Sequence, residues 1–130
     1  MKFYIASSFK NIDSVMYVSE RLKKEGFVHA YDWTQNNKAT SIEELKEIGQ
    51  NEKRAVMEAD FVIVLFPAGK SSHVELGIAL GQGKNVFLYS PDEKINDLET
   101  TSTFYHLPGV NKCYGTIEEF IEKISAVQLV

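Results

Sequence analysis

Glu75 follows a short run of small and hydroxylated residues, Gly69, Lys70, Ser71 and Ser72, that leads from an apolar segment into a helical one. Two chemistries fit that spacing. Ser72 and Glu75 stand at Ser-x-x-Glu spacing, the pattern of a capping box, which makes Glu75 a structural cap. A carboxylate in the first turn of a helix is also held ionised by the helix dipole, and an ionised carboxylate can act as a nucleophile. Free backbone N–H groups at such a helix start favour an anion, with Lys70 and the serine hydroxyls beside them. Two further polar positions belong with these: Ser7-Ser8 near the N-terminus, and Asp32-Trp33, whose indole could stack on a flat ligand or could anchor a loop.

The common phosphate fingerprints do not fit. Gly69-Lys70-Ser71 imitates the end of a P-loop, but the position of its first glycine is Val64. No G-x-G-x-x-G follows the first apolar segment, and a phosphoacceptor receiver would need an aspartate where Phe66-Pro67 stands. His29, His73 and His106 lack metal-ligand spacing. His73 reads as a surface histidine or a ligand contact. Cys113 is the only cysteine, so neither an intrachain disulfide nor a multi-cysteine metal site is available. No cofactor or metal is expected.

The elements that position these residues follow from periodicity. Lys2–Ala6 is a short β-rich run, and Asn11–Glu25 carries Val15, Val18 and Leu22 at helical spacing, stopped by Gly26. Phe27–Tyr31 predicts a weaker strand and Asp32–Ala39 a loop. Thr40 or Ser41 caps a helix to about Glu58, with Ser41 and Glu44 at capping-box spacing. Asp60–Phe66 is an unbroken apolar run, as expected of a central parallel strand covered on both faces. A helix from about Ser72 to Gly81 then leads into a strand, Asn85–Tyr89. Gly77, Ala79 and Gly81 suit tight packing there. Ser90–Thr103 reads as an excursion with a turn near Lys94–Leu98, Val110–Tyr114 as an edge strand, and Thr116–Glu119 as the box opening a last helix.

That alternation predicts one α/β domain, residues 1–130. Its core would be a doubly wound, five-stranded parallel sheet of flavodoxin or Rossmann type. Ligands of such sheets bind at the carboxyl ends of the strands, near the point where strand order reverses. The loops there include Ser7–Lys10, Tyr31–Asn37 and Pro67–Ser72.

With 130 residues, 44% hydrophobic and 25% charged, the chain has the composition of an ordinary globular protein. A net charge of −4 without an extended basic run disfavours nucleic acid as partner. No apolar stretch reaches the length of a membrane span, and the N-terminus lacks the features of a signal peptide. A cytoplasmic protein that does not engage membranes is expected.

FYIASS, EADFVIVLF and SSHVELGIALGQGKNVFLY, in that order and spacing, resemble the nucleoside 2-deoxyribosyltransferase-like family over Lys2–Tyr89. The resemblance implies cleavage or transfer at the N-glycosidic bond of a nucleoside or nucleotide, by way of a glycosyl-enzyme ester. It implies Glu75 as nucleophile, Tyr4 as its orienting neighbour, and Ala6, Ser7 and Ser8 as a turn holding base or sugar. Glu52 stands where the family has an aspartate that assists the leaving base. Gly69 replaces the aspartate of the nucleoside enzymes and the serine of the nucleotide hydrolases. The resemblance also implies a homodimer or higher oligomer, with Phe104-Tyr105-His106 as a packing cluster. Two other classes remain open at this point: a nucleotide-binding or sensing module without turnover, and a TIR-like domain that cleaves NAD or mediates interactions.

Overall fold

In a computed structural model, residues 1–127 are described; the expected domain's last three, 128–130, lie outside them. Five strands form one sheet: β1 (Lys2–Ala6), β2 (Val28–His29), β3 (Phe61–Leu65), β4 (Asn85–Tyr89) and β5 (Val110–Cys113). The order is β2-β1-β3-β4-β5 and every pairing is parallel, with Tyr4 beside Val62 and Val64 beside Leu88. Parallel strands need crossovers, which α1 (Ile12–Lys24), α2 (Ile42–Glu58) and α3 (Lys70–Gly81) supply, with α4 (Ile117–Ser125) closing the chain. Helices α1 and α4 pack together on one face, α2 and α3 on the other. The doubly wound five-stranded fold expected from the alternation is therefore present.

The reasons are local. All five residues of β3 are buried because it lies between two strands and two helix layers, which explains its unbroken apolar run. Helix α1 buries Val15, Val18 and Leu22 on one stripe, and α4 buries Phe120, Ile121 and Ile124. Gly26 and Gly83 adopt φ of 94° and 70° just past α1 and α3, where a side chain would be strained. The Thr116–Glu119 box forms in full, with both hydroxyl and carboxylate bonded to backbone. At α2 the Ser41 hydroxyl accepts from the Glu44 N–H, whereas the Glu44 carboxylate turns to the N–H of Thr40.

Two expectations shift. The strand expected over Phe27–Tyr31 contracts to Val28–His29: it is an edge that pairs only with β1, and the chain then turns into a 3-10 segment, Trp33–Gln35. Helix α3 begins at Lys70 rather than Ser72, because Gly69 already occupies the extended capping position. Strand order reverses between β1 and β3, so the crevice beyond Ala6 and Leu65 is the place where such a sheet receives a ligand.

Candidate active site

The early start of α3 changes the role of Glu75. Ser72 sits in the first turn, and its hydroxyl accepts from the Gly69 N–H at 3.2 Å. Glu75 is therefore in the second turn and caps nothing. The capping-box reading of Ser72 with Glu75 is corrected, and with it the idea that a first-turn dipole ionises this carboxylate. The helix instead aims Glu75 inward at β1, where it is 7% exposed.

There it meets Tyr4, which is fully buried in β1. The Tyr4 hydroxyl donates to Glu75 Oε2, and it also lies 3.4 Å from Glu52 Oε2 on α2. Three elements thus converge on one polar cluster inside an apolar layer. Burial raises the Glu75 pKa to about 8; the Tyr4 hydrogen bond opposes that shift and the Glu52 charge reinforces it. Burial raises Glu52 as well. Two adjacent carboxyls in a poorly solvated site cannot both ionise readily, so near neutrality the pair tends to hold one proton in common. Burial, and then the neighbouring carboxylates, push the Tyr4 phenol far above its ordinary range. Tyr4 is a fixed donor, and its one proton is committed to Glu75.

The surrounding polar residues divide by what they touch. The Ser7 hydroxyl donates to Leu65 O at 2.8 Å and accepts from Asn11 Nδ2, tying the β1 and β3 ends together across the switch point. Ser8 Oγ accepts from Lys10 N–H at the head of a 3-10 turn. Asp32 caps the next turn through Thr34 N–H and the Thr34 hydroxyl. Trp33 is 5% exposed and its indole N–H donates to Ile5 O at 2.7 Å, so it anchors a loop and offers no free stacking face. Ala6 is buried at the β1 end. Lys70 and Ser71 are exposed at the α3 start, and a side chain built at Gly69 would meet nothing within 4 Å.

Sequence reasoning missed one residue of this rim and the bonding of another. Phe9 stacks edge-on against Trp33 at 5.2 Å and is 67% exposed, which makes it the open aromatic of this rim. Its position directly after Ser7-Ser8 was the available signal. His73 is exposed, as a surface histidine would be, but its ring is bonded within the chain: Nδ1 lies 2.7 Å from Gly69 O and Nε2 lies 2.6 Å from the Tyr105 hydroxyl. Of the cluster expected to pack on a partner, Tyr105 is buried and both Tyr105 and His106 are hydrogen-bonded within the chain, while Phe104 and His106 are exposed. Among the described residues no group of three or more metal-ligating side chains forms, and no helix is long and apolar enough to cross a membrane.

Residues 3–115 match the family model for nucleoside 2-deoxyribosyltransferase. The chain belongs to the nucleoside 2-deoxyribosyltransferase family. Two solved structures share the fold of this deoxyribosyltransferase-family chain. A CMP N-glycosidase from Clostridium botulinum is 15% identical, covers 98% of this chain and 100% of its own, and superposes with a TM-score of 0.67. A 2-deoxyribosyltransferase from Bacillus psychrosaccharolyticus is 19% identical, with coverage of 99% and 93% and a TM-score of 0.71. Among curated proteins no relative matches.

Proposed function

We propose that this protein cleaves or transfers at the N-glycosidic bond of a nucleoside or nucleotide, with Glu75 as nucleophile. The observation that carries this reading is the buried Tyr4–Glu75–Glu52 cluster at the switch point of a deoxyribosyltransferase-family fold. Solved neighbours of both kinds, one an N-glycosidase and one a deoxyribosyltransferase, support the reaction class.

The chemistry balances on the residues present. In the active form Glu75 is the carboxylate and Glu52 holds the shared proton. Glu75 attacks the anomeric carbon as the carbon–nitrogen bond breaks, and the electron pair leaves with the base. Glu52 gives that base its proton, as a general acid. Tyr4 keeps one carboxylate oxygen oriented and in place. Water or a second base then attacks the glycosyl ester, and the Glu52 carboxylate takes up the proton released. Glu52 is one methylene longer than the family's aspartate, and α2 brings it within 3.4 Å of the Tyr4 hydroxyl.

The substrate shell comprises Phe9 and Ser8 on one side and Gly69, Lys70 and Ser71 on the other, with Ala6, Ser7, Ser72, Asp32 and Trp33 holding the loops that carry it. The open Gly69 position and the Lys70 ammonium favour a phosphorylated sugar. We also propose a cytoplasmic enzyme that works without cofactor as a homodimer or higher oligomer; exposed Ile42, Leu45, Val74 and Phe104 support self-association, and light scattering tests it.

A panel of nucleosides and nucleotides assayed for base release should give free base with the wild type and none with Glu75→Ala at equal folding. Rapid quenching and intact mass measurement should trap a glycosyl adduct on Glu75. Full activity of Glu75→Ala rejects the mechanism. Gly69, which supplies no side chain to the sugar, favours one second reading, a binding module without turnover. Tight binding by calorimetry with no base released would establish it.

A further inference from the structure

We infer that His73 and Tyr105 are positioning residues that hold the loop Pro67–Gly69 and the first turn of α3 in place for substrate, linking them to the excursion between β4 and β5. The kinetic part of this inference rests on the proposed reaction; the structural part does not.

The hydrogen-bond directions are fixed by the partners. Gly69 O can only accept, so the proton of the neutral ring is on His73 Nδ1, and Nε2 accepts from the Tyr105 hydroxyl. His73 therefore transmits one contact into another: Tyr105 holds the ring, and the ring adds a second bond to the Gly69 carbonyl, which already accepts from the His73 N–H at 3.2 Å. Phe66, His73 and Tyr105 form an aromatic cluster beside the loop. Phe66, which precedes it, packs edge-on against His73 at 6.2 Å and against Tyr105 at 5.3 Å. Gly69 itself has no side chain to fix its position, and its N–H is the group that Ser72 Oγ receives.

Tyr105 can serve as an anchor because the excursion carrying it is cross-braced. Lys112 Nζ donates to His106 Nδ1 at 2.8 Å, which leaves the His106 Nε2–H to donate to Thr101 Oγ1 at 2.9 Å, and Thr101 in turn donates to Ile95 O. Lys112 also donates to Asn96 Oδ1, whose amide donates to the Tyr114 hydroxyl. Lys112 donates into both branches, so β5 and the turns at Glu93–Asn96 and Thr103–His106 form one polar frame. The buried Tyr105 projects from that frame onto His73. Helix α3 aims Glu75 at β1 independently of this contact, so the pair acts on the loop that receives substrate and leaves the reacting carboxylates alone.

The test uses Tyr105→Phe, His73→Leu and His73→Asn in the full chain. Asn keeps a donor near the position of Nδ1–H, and Leu keeps bulk alone. Hydrogen exchange of the amides over residues 68–72 should quicken about 10-fold in Tyr105→Phe and His73→Leu, the effect of losing one hydrogen bond. His73→Asn should restore near-normal exchange. With a substrate from the base-release panel, KM should rise by a similar factor of about 10 in the two defective variants while kcat stays within about twofold. Unchanged exchange in His73→Leu, or His73→Asn as defective as His73→Leu, overturns the inference. So does a fall in kcat at constant KM. If the wild type releases no base, the proposed reaction fails, and the exchange series alone decides the inference.

Discussion

Glu75 is withdrawn from water while still bonded to a donor. A buried carboxyl prefers to stay neutral, and the Tyr4 hydrogen bond is the interaction that favours its ionised form. Tyr4→Phe leaves the ring packing intact and removes that bond. Base release should then fall about 100-fold in kcat/KM, the size expected when a preorganised donor is lost. Its activity optimum should move to higher pH, because Glu75 loses the group that lowers its pKa. Steady-state kinetics across pH check both. Loss of only a factor of two would mean that Tyr4 is a packing residue. The same burial makes Glu75 costly to the fold. Its carboxyl binds a proton more tightly folded than unfolded, so between about pH 4.3 and 8 the native state carries more protons and stability falls as pH rises. Glu75→Gln, neutral at every pH, should be more stable than the wild type at pH 8 by about 1–3 kcal/mol, as urea unfolding would show.

At the scale of elements, the proposed reaction has its substrate choice set at the head of α3. Gly69 is extended, with φ of −110°, and open space surrounds its missing side chain. A serine there meets no steric objection and is a slightly better cap than glycine, by a few tenths of a kcal/mol. Gly69→Ser should therefore keep or slightly raise the melting temperature. It should also move selectivity toward the 5′-phosphorylated member of each nucleoside pair, through one added hydroxyl at the loop. Competition assays with paired substrates measure this, and an unchanged ratio would place the sugar's phosphate elsewhere. Trp33 belongs to the same scale. It clamps the loop after β2 to Ile5 O and backs the exposed Phe9.

For the whole molecule, a buried carboxyl and a half-buried histidine on opposite faces of the sheet set opposing pH trends. Burial lowers His29 to about 4, against about 6.5 unfolded, so between those values the unfolded chain binds more protons and stability rises with pH. Its ring stacks on Phe3 and takes Ser19 at Nδ1, while Nε2 is buried without a partner. Glu75 contributes the opposite slope over much of that window. Wild-type stability should be nearly flat from about pH 5 to 6.5 and then decline toward 8, whereas Glu75→Gln should rise and then level off. A pH series of urea midpoints distinguishes them; a wild type that gains stability up to pH 8 would contradict the assigned roles. The succession of elements was readable in the sequence because each carries its own period and stop, as in β3, α1 with Gly26, and the Thr116 box. The family could be read from FYIASS and the Glu75 stretch, and the implied trio of Tyr4, Glu52 and Glu75 does converge. What local pattern could not give was the true start of α3, since Ser-x-x-Glu fits a capping box whether or not the chain places Gly69 first. Nor could it tell that Trp33 turns inward, that Phe9 stays out, or that His73 reaches Tyr105 across 32 positions. Hydrophobic period and turn chemistry are properties of neighbours in the chain, and they determine which elements form. Protonation, exposure and the direction of a hydrogen bond depend on what packs alongside, and only the sheet order, which sets β1 beside β3 under α2 and α3, decides them.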